Sequence, residues 1–227
     1  MLEFFRMNST PVILASSSPR RRFLMDLTGL DYQVQPADLR EENGVDEPPR
    51  DYVTRMAREK ALSIFSQHQG RVAVIAADTT VVDAGSILGK PAGADEAREM
   101  LNQLRGHQHH VMTGLAAALP GDDVRLELCV SAVPMRDYTD EEIEAYIQSG
   151  DPLDKAGAYA IQHAGFHPAA GFSGCYAGVI GLPLCYMKRM LQGTPYDLPD
   201  DIARRCQQGL GYTCPIYEAV LRGENVG

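Results

Sequence analysis

The sequence predicts a mixed α/β fold in which a long central β-sheet is flanked by helices. A short apolar run, Val12 to Ala15, is followed almost at once by a helix start at Pro19. The continuous apolar run from Val72 to Ala77 is typical of a central strand buried on both faces. Two further segments, Val111 to Leu119 and Val124 to Val133, flank a Pro-Gly-Asp-Asp turn and indicate an antiparallel hairpin. Strand and helix patterns therefore alternate along the chain, as they do in α/β proteins.

The composition is that of a soluble globular protein. The chain has 227 residues, a hydrophobic fraction of 44% and a formal net charge of −9, so we expect one main domain and no general attraction for nucleic acid or acidic lipid. The five cysteines have neither C-x-x-C spacing nor an even count, which indicates reduced thiols. The opening MLEFFRM is too short for a signal peptide, and no segment approaches the length of a membrane span. We expect a cytoplasmic protein without a membrane partner.

The stretch VILASSSPRRR, residues 12–22, departs from the usual charge pattern of a helix start. Ser18 is suited to be the N-cap and Pro19 to be the first helical residue. The expected apolar face of this helix consists of Phe23, Leu24 and Leu27. The arginines Arg20 to Arg22 oppose the positive end of the helix dipole, but they suit a phosphate bound at the helix N-terminus. The alternative is that they pair with surface carboxylates.

Two ionisable residues interrupt apolar patterns. Asp78 ends the buried run from Val72 to Ala77, where a carboxylate is costly unless it is paired, protonated or bound to a metal. Because ligands gather at the carboxyl ends of strands in α/β sheets, Asp78 is the strongest single candidate for a site residue; the alternative is a turn cap. Lys60 lies on the apolar stripe of a helix predicted from Arg50 to Gln67, so it either extends to the surface or serves a site.

Three other polar segments carry weaker signals. The segment 89–91 places Lys90 between glycine and proline, but it lacks the glycine-rich run of a P-loop. The acidic stretch from Ala37 to Pro49 presents a carboxylate to a site or forms a solvated loop. The three histidines between residues 107 and 110 match no metal-ligand spacing, so we expect exposed or hydrogen-bonded side chains.

The later part of the chain contains two further informative segments. DPLDKAGAYAIQHAG, residues 151–165, intersperses small residues with Asp154, Lys155 and Gln162, which suits a close approach to a ligand or a tight structural loop. GCYAGVIGLPLCYMKRML is expected to join a strand to a helix that begins at Pro183.

Seven segments, in order along the chain, resemble motifs of the Maf family of nucleoside-triphosphate pyrophosphatases: LASSSPRRR, AREKA, AADTTVV, ILGKP, VMTG, DPLDKAGAYAIQ and VIGLPL. The resemblance implies that residues 1–191 form the pyrophosphatase domain and that residues 192–227 are an extension of unknown role. It implies two lobes around a nucleotide-binding cleft, as in inosine-triphosphatase-like folds. It further implies metal-dependent hydrolysis of a nucleoside triphosphate to the monophosphate and pyrophosphate, and a homodimer.

The resemblance also implies roles for particular residues. Asp78 corresponds to the catalytic carboxylate. The substrate-binding positions are Ser16, Arg20, Arg21, Glu41, Lys60, Lys90 and Gln162. Nucleobase choice is tuned by Arg20, Thr79 and Gln162, a combination that resembles the dTTP/UTP pyrophosphatase branch. The branch that acts on 7-methyl-GTP typically has tryptophan in place of Arg20 and glutamine in place of Thr79.

Several positions depart from the family pattern. Arg40 replaces an acidic residue, Arg105 replaces a serine and His163 replaces a glycine, while residues 166–172 lack a β-branched strand pattern. These departures concern the edge of the base pocket more than the phosphate chemistry.

The candidate residues favour Mg²⁺ or Mn²⁺ as the cofactor. Carboxylates such as Asp78 and Glu41, together with water, suit these ions, whereas the scattered cysteines and histidines do not form a zinc set. We expect these two residues to hold the metal and Asp78 to activate the attacking water. Two other functions stay open: a division-linked regulatory protein that binds a nucleotide, and a pyrophosphatase for modified purine nucleotides such as ITP.

Overall fold

The computed structural model describes residues 12–39 and 47–226. Within these residues six strands form one mixed sheet. The strands are β1 (Val12–Leu14), β2 (Tyr32–Val34), β3 (Ala73–Asp83), β4 (Ser86–Leu88), β5 (Gln108–Leu119) and β6 (Asp123–Pro134). The helices are α1 (Pro19–Asp26), α2 (Pro49–Gln67), α3 (Ala94–Leu104), α4 (Asp140–Gln148), α5 (Tyr176–Ile180), α6 (Leu184–Leu191), α7 (Ile202–Leu210) and α8 (Tyr217–Leu221). The predicted mixed α/β fold, a central sheet flanked by helices, is confirmed.

The sheet has the strand order β2-β1-β3-β5-β6, and β4 also pairs with β3. The pairs β1–β2 and β1–β3 are parallel, and the other pairs are antiparallel. The hairpin predicted for residues 111–133 is therefore confirmed as β5 and β6, which pair along their whole length.

One edge of β3 is paired only at its two ends. Its other edge pairs with β5 without interruption from Val74 to Val82. On the incomplete edge, β1 pairs with residues 73–75 and β4 pairs with residues 81–83. Residues 76–80 thus have no strand partner on this edge within the described chain. We call this stretch the β3 gap.

Consecutive side chains of β3 point to opposite faces of the sheet. Val74 and Ala76 pack in the same cluster as the buried residues of α2. Ile75 and Ala77 pack in a second cluster, with α1, α5 and α6. The same alternation sends Asp78 towards α2 and the next residue towards α1 and α5. Asp78 and Thr79, which are successive residues in the β3 gap, therefore reach opposite faces of the sheet.

The predicted helix ends are well reproduced. Ser18 is the N-cap of α1 and its side chain accepts a hydrogen bond from the Arg21 N–H, with Pro19 as the first helical residue. Thr139 and Glu142 form a capping box at the start of α4. These signals are local, because each cap satisfies main-chain groups of its own helix.

Three sequence predictions are wrong. The strand that begins near Val72 is not interrupted at Asp78 and Thr79 but runs through both residues to Asp83. Phe23 is 44% exposed and does not belong to the apolar face of α1. The segment before Pro183 forms the short helix α5 rather than a strand, with Cys175 as its N-cap. In the last case two glycines and an alanine shorten the apolar run, and Gly181 ends the helix at φ +114°.

Residues 192–226 pack onto the same core as α1, α5 and α6. Leu198, Ile202 and Val220 are buried in that cluster. A Cβ atom on Gly209 of α7 would lie 2.8 Å from Leu27, at the end of α1. The C-terminal segment therefore lies directly against the helix that carries the arginines. No helix in the described ranges is both long enough and apolar enough to cross a membrane.

Candidate active site

A cavity of about 330 Å³ opens at the β3 gap. This volume is within the range of small-molecule sites. Its walls are the loop between β1 and α1, the gap residues of β3, the segment 154–162, and the last residues of α5. The site thus lies beyond the carboxyl end of β1, where α/β sheets place their ligands.

Eight of the residues predicted for the site line this one cavity. They are Ser16, Arg20, Arg21, Lys60, Asp78, Thr79, Lys90 and Gln162. Glu41, the ninth, lies outside the residues that the structure describes. The cavity therefore brings together residues that are far apart in the sequence, such as Ser16 and Gln162.

Asp78 and Lys60 form a buried ion pair. The Lys60 ammonium donates to Oδ1 of Asp78 over 2.6 Å, and the two side chains are only 10% and 8% exposed. Like Val74 and Ala76, Asp78 points towards α2. Lys60 must therefore lie on the apolar stripe of α2 that faces the sheet in order to reach the carboxylate. Asp78 lines the cavity, and its Oδ2 makes no hydrogen bond to another residue of the described chain.

Arg21 is held across the other face of the β3 gap. Its Nε donates to the Gly181 carbonyl over 2.9 Å, and Nη1 and Nη2 donate to the hydroxyls of Ser16 and Thr79 over 3.3 and 3.1 Å. A Cβ atom on Gly181 would lie 3.1 Å from Nε of Arg21 and 3.0 Å from Oγ1 of Thr79. Because residue 181 is glycine, it can adopt a left-handed backbone conformation and can lie this close to the Arg21 and Thr79 side chains. The guanidinium occupies a fixed position before any ligand binds.

Three other cavity residues are not fixed in this way. Arg20, Lys90 and Gln162 make no hydrogen bond or ion pair within ranges 12–39 and 47–226. Gln162 and Lys90 are exposed at the cavity rim. The cavity therefore combines a rigid interior with polar side chains at its edge that can move onto a ligand.

Asp154 and Lys155 also line the cavity and were not assigned to the site from sequence. The Lys155 ammonium is buried and lies 2.6 Å from Oδ1 of Asp154 and 2.9 Å from Oδ1 of Asp151. The hydrogen bond from Lys155 lowers the pKa of the Asp154 carboxyl, and the positive charge of Arg20 lowers it further. A lysine between aspartate and small residues in DPLDKAG was the available signal, but the same pattern also suits a structural loop.

The donor set is compatible with a hard divalent cation held together with a phosphate ligand. Asp78 and Asp154 are the carboxylates that the described cavity lining contains, and no cluster of three or more potential His, Cys, Asp or Glu ligands occurs among the described residues. Mg²⁺ usually binds through one or two carboxylates, with waters and substrate phosphates completing its shell. An open Oδ2 on Asp78 fits that pattern.

The histidines near residue 109 have structural partners, as expected. His107 Nε2 lies 3.0 Å from Asp83 and His109 Nε2 lies 2.8 Å from the Tyr159 hydroxyl. Burial lowers the pKa of His109 to about 4, so its imidazole is neutral near pH 7. His109 thus supports Tyr159, which lines the cavity.

Comparison with known proteins identifies the family. The family model described as "Maf-like protein" matches residues 11–194. A dTTP/UTP pyrophosphatase from Anaeromyxobacter dehalogenans (strain 2CP-C) is 44% identical over 191 residues, which are 83% of this chain and 96% of that protein. A dTTP/UTP pyrophosphatase from Methylococcus capsulatus is 45% identical over 80% of this chain and 89% of that protein. A solved HAM1 protein from Coxiella burnetii aligns at a TM-score of 0.43 and 15% identity, over 67% of this chain and 88% of that one.

The family match spans most of the chain and includes every described residue of the cavity. The chain therefore belongs to the Maf-like protein family.

Proposed function

We propose that this protein hydrolyses the pyrimidine nucleoside triphosphates dTTP and UTP to the monophosphate and pyrophosphate. The observation that carries the proposal is the buried Asp78–Lys60 pair at the β3 gap, in a cavity lined by arginines, lysines and serine hydroxyls. Relatives that are 40–45% identical over most of the chain are named dTTP/UTP pyrophosphatases. These names favour neither the division-linked regulator nor the purine-directed enzyme.

The reaction requires a water molecule positioned opposite the leaving pyrophosphate. Asp78 is the residue to hold that water, because it lines the cavity and Lys60 fixes its carboxylate through Oδ1, which leaves Oδ2 for the water. Oδ2 accepts the proton as the water oxygen bonds to the α-phosphorus and the bond to the pyrophosphate oxygen breaks. The fixed carboxylate lowers the cost of orienting the nucleophile.

The cations of the cavity stabilise the negative charge that builds up on the phosphates. Arg21 and Lys60 supply that charge from fixed positions, whereas Arg20 and Lys90 are free to close onto the ligand from the rim. Ser16 adds a hydroxyl beside the start of α1. A bound Mg²⁺ or Mn²⁺ would be held by Asp78, with Glu41 as the second ligand that the sequence analysis proposes, and would neutralise phosphate charge.

Three of the lining residues are proposed to select the nucleobase. Arg20, Thr79 and Gln162 carry hydrogen-bonding groups suited to the polar edge of a pyrimidine. A base with the wrong pattern of donors and acceptors leaves such groups unpaired, which is strongly unfavourable in a partly buried site.

The variant Asp78→Asn tests the catalytic role. It keeps the size of the side chain but removes the proton acceptor, so we expect the rate of pyrophosphate release from dTTP to fall by about 10²- to 10⁴-fold at saturating Mg²⁺. Asp122→Asn, on an exposed turn outside the cavity lining, is the matched control and should retain the wild-type rate. Wild-type turnover by Asp78→Asn would exclude this carboxylate as the base.

A substrate panel separates the proposed activity from the alternatives. Turnover of dTTP and UTP that exceeds turnover of CTP, ITP and 7-methyl-GTP is the expected result. Preferred turnover of ITP would support a purine-directed enzyme, and tight nucleotide binding without turnover would support a regulatory protein. The predicted homodimer is tested separately, by light scattering after size-exclusion chromatography.

A further inference from the structure

A second threonine lies directly behind Thr79. Thr113 of β5 is the cross-strand partner of Thr79, so both side chains point to the same face of the sheet. Thr113 is 1% exposed and does not line the cavity. Its Oγ1 lies 2.9 Å from Oγ1 of Thr79 and 2.8 Å from the carbonyl oxygen of Gly178 in α5.

These contacts fix the direction of the hydroxyl protons. A carbonyl oxygen can only accept, so the 2.8 Å contact with Gly178 requires that Thr113 donate its single proton there. The contact between the two threonines is then a hydrogen bond only if Thr79 donates to Thr113. The guanidinium of Arg21 contains no acceptor, and its Nη2 donates to Oγ1 of Thr79 over 3.1 Å.

Thr79 consequently has one hydrogen-bonding capacity left for a ligand. A hydroxyl has one proton and two lone pairs; Thr113 takes the proton and Arg21 occupies one lone pair. Thr79 is only partly buried and lines the cavity, so its remaining lone pair is available there. Towards a ligand, Thr79 is therefore an acceptor and not a donor.

Apart from the Arg21 guanidinium, the neighbours of Thr79 in the cavity lining include apolar side chains that suit a flat base. Val81 lies on the same face of β3, and its cross-strand partner Val111 also lines the cavity. Val179 and Ile180 of α5 contribute further apolar surface to this side. The charged pair of Asp78 and Lys60 reaches the opposite face.

We propose that Thr113 is a positioning residue that makes Thr79 an obligate acceptor for the nucleobase. Uracil and thymine have a hydrogen on ring nitrogen N3 and can donate it to Thr79, whereas N3 of cytosine is itself an acceptor. The Gly178–Thr113–Thr79 chain thereby selects UTP and dTTP against CTP. This inference rests on the proposed function, because it assigns the base to the Thr79 side of the same cavity.

The variant Thr113→Val tests the inference, with Thr113→Ser as its conservative counterpart. Valine has nearly the shape of threonine but cannot accept the Thr79 proton, so that hydroxyl becomes free to rotate and donate to N3 of cytosine. We expect the ratio of kcat/KM for UTP to that for CTP to fall by about tenfold in Thr113→Val. Thr113→Ser retains a hydroxyl and should keep the wild-type ratio.

The inference would be overturned if Thr113→Val lost UTP and CTP turnover equally, so that the UTP-to-CTP ratio of kcat/KM stayed within about twofold of wild type. The threonines would then act on bound phosphate or on stability alone. A measurement on the wild-type protein decides the matter if Thr113→Val does not fold. N3-methyl-UTP lacks the ring hydrogen, so its kcat/KM should be at least about tenfold below that of UTP, and near-equal turnover would contradict the proposal.

The same measurements distinguish failure of this inference from failure of the proposed function. A wild-type protein that hydrolyses neither dTTP nor UTP disproves the proposed function and removes the basis for a base preference. A wild-type protein that hydrolyses both, with a UTP-to-CTP ratio that Thr113→Val does not alter, disproves only the role of Thr113.

Discussion

The Lys60–Asp78 pair places opposite charges in a nearly solvent-free position between α2 and β3. Such a pair is a poor source of stability when compared with apolar residues, because both ions lose their hydration. The carboxylate nevertheless depends on the ammonium, since removal of the Lys60 charge leaves Asp78 as a buried ion without this partner. The pair therefore holds the proposed catalytic carboxylate in one orientation, and the rest of the core offsets the cost in stability.

The variant Lys60→Met should lower the free energy of unfolding by about 3 kcal/mol, because the buried carboxylate loses its ammonium partner. Denaturant titration at pH 7 measures this effect. Arg58→Met, on the exposed side of the same helix, should change the free energy by less than about 0.5 kcal/mol. If the double variant Lys60→Met/Asp78→Asn is no more stable than the sum of the two single changes predicts, the energetic coupling of the pair is contradicted.

At the scale of elements, the packing of α2 onto the sheet depends on one glycine. Gly114 of β5 is the cross-strand partner of Asp78 and faces the same helix. A Cβ atom there would lie 2.5 Å from the Val53 carbonyl oxygen, which is backbone and cannot move aside. The two residues Thr113 and Gly114 of the VMTG segment thus support the β3 gap from behind, one on each face.

Gly114→Ala should force α2 away from β5. We expect the free energy of unfolding to fall by about 2–3 kcal/mol. The pyrophosphatase kcat/KM should also fall, because Lys60 moves with its helix. Gly93→Ala provides the control: this glycine has an extended backbone (φ −178°) and nothing within 4 Å of the added Cβ, so stability and activity should be retained. Equal stability of the two variants would show that α2 does not need this close approach.

At the scale of the whole molecule, the C-terminal segment supports the rear of the site. Helix α7 packs against α5 and α6, and its Gly209 lies against Leu27 at the end of α1. Both α1 and α5 contribute walls of the cavity. We propose that residues 192–226 hold these two walls together, in addition to any role in contacts with other proteins.

Ile202→Ala removes a side chain that is completely buried in the cluster shared by α1, α5 and α6. The resulting cavity should lower the free energy of unfolding by about 2–4 kcal/mol, as measured by denaturant titration. Gln208→Ala, at an exposed position of the same helix, should be nearly neutral. A neutral Ile202→Ala would mean that the segment is dispensable for the stability of the fold.

Local patterns predicted α1, α2, α6 and most strands, because caps, periodicity and turn residues act within a few positions of each other. The cap at Ser18, the capping box at Thr139 and the β5–β6 hairpin follow from such patterns. Phe23 was misassigned because periodicity tells which residues share a helix face but does not tell how far the neighbouring segments extend over it.

The β3 gap could not be predicted from β3 itself. Asp78 was recognised as anomalous in an apolar run, but the strand continues through it because β5 supplies a complete set of partners on the other edge. The gap exists because the pairing with β1 ends at Ile75, opposite Leu14, and the pairing with β4 reaches back only to Val81, opposite Leu88. These are properties of other strands, and they become visible only when the strands are assembled. Lys155 could not be assigned to the site from sequence for a similar reason, since its proximity to the cavity depends on a long-range contact.

The β3 gap also leaves one stretch of the central sheet without a neighbouring strand on one edge within the described chain. Main-chain groups of alternate residues point to the same edge, and because Ala15 donates to the Ile75 carbonyl, those of Ala77 and Thr79 point into the gap. Water must satisfy them when the cleft is empty, and a ligand seated there replaces that water. In each catalytic cycle, water thus leaves these main-chain groups when the ligand binds and returns to them when the product leaves. Because a ligand that binds only the folded chain stabilises it by mass action, resistance to unfolding in the cell depends on how much of the time the cleft is filled.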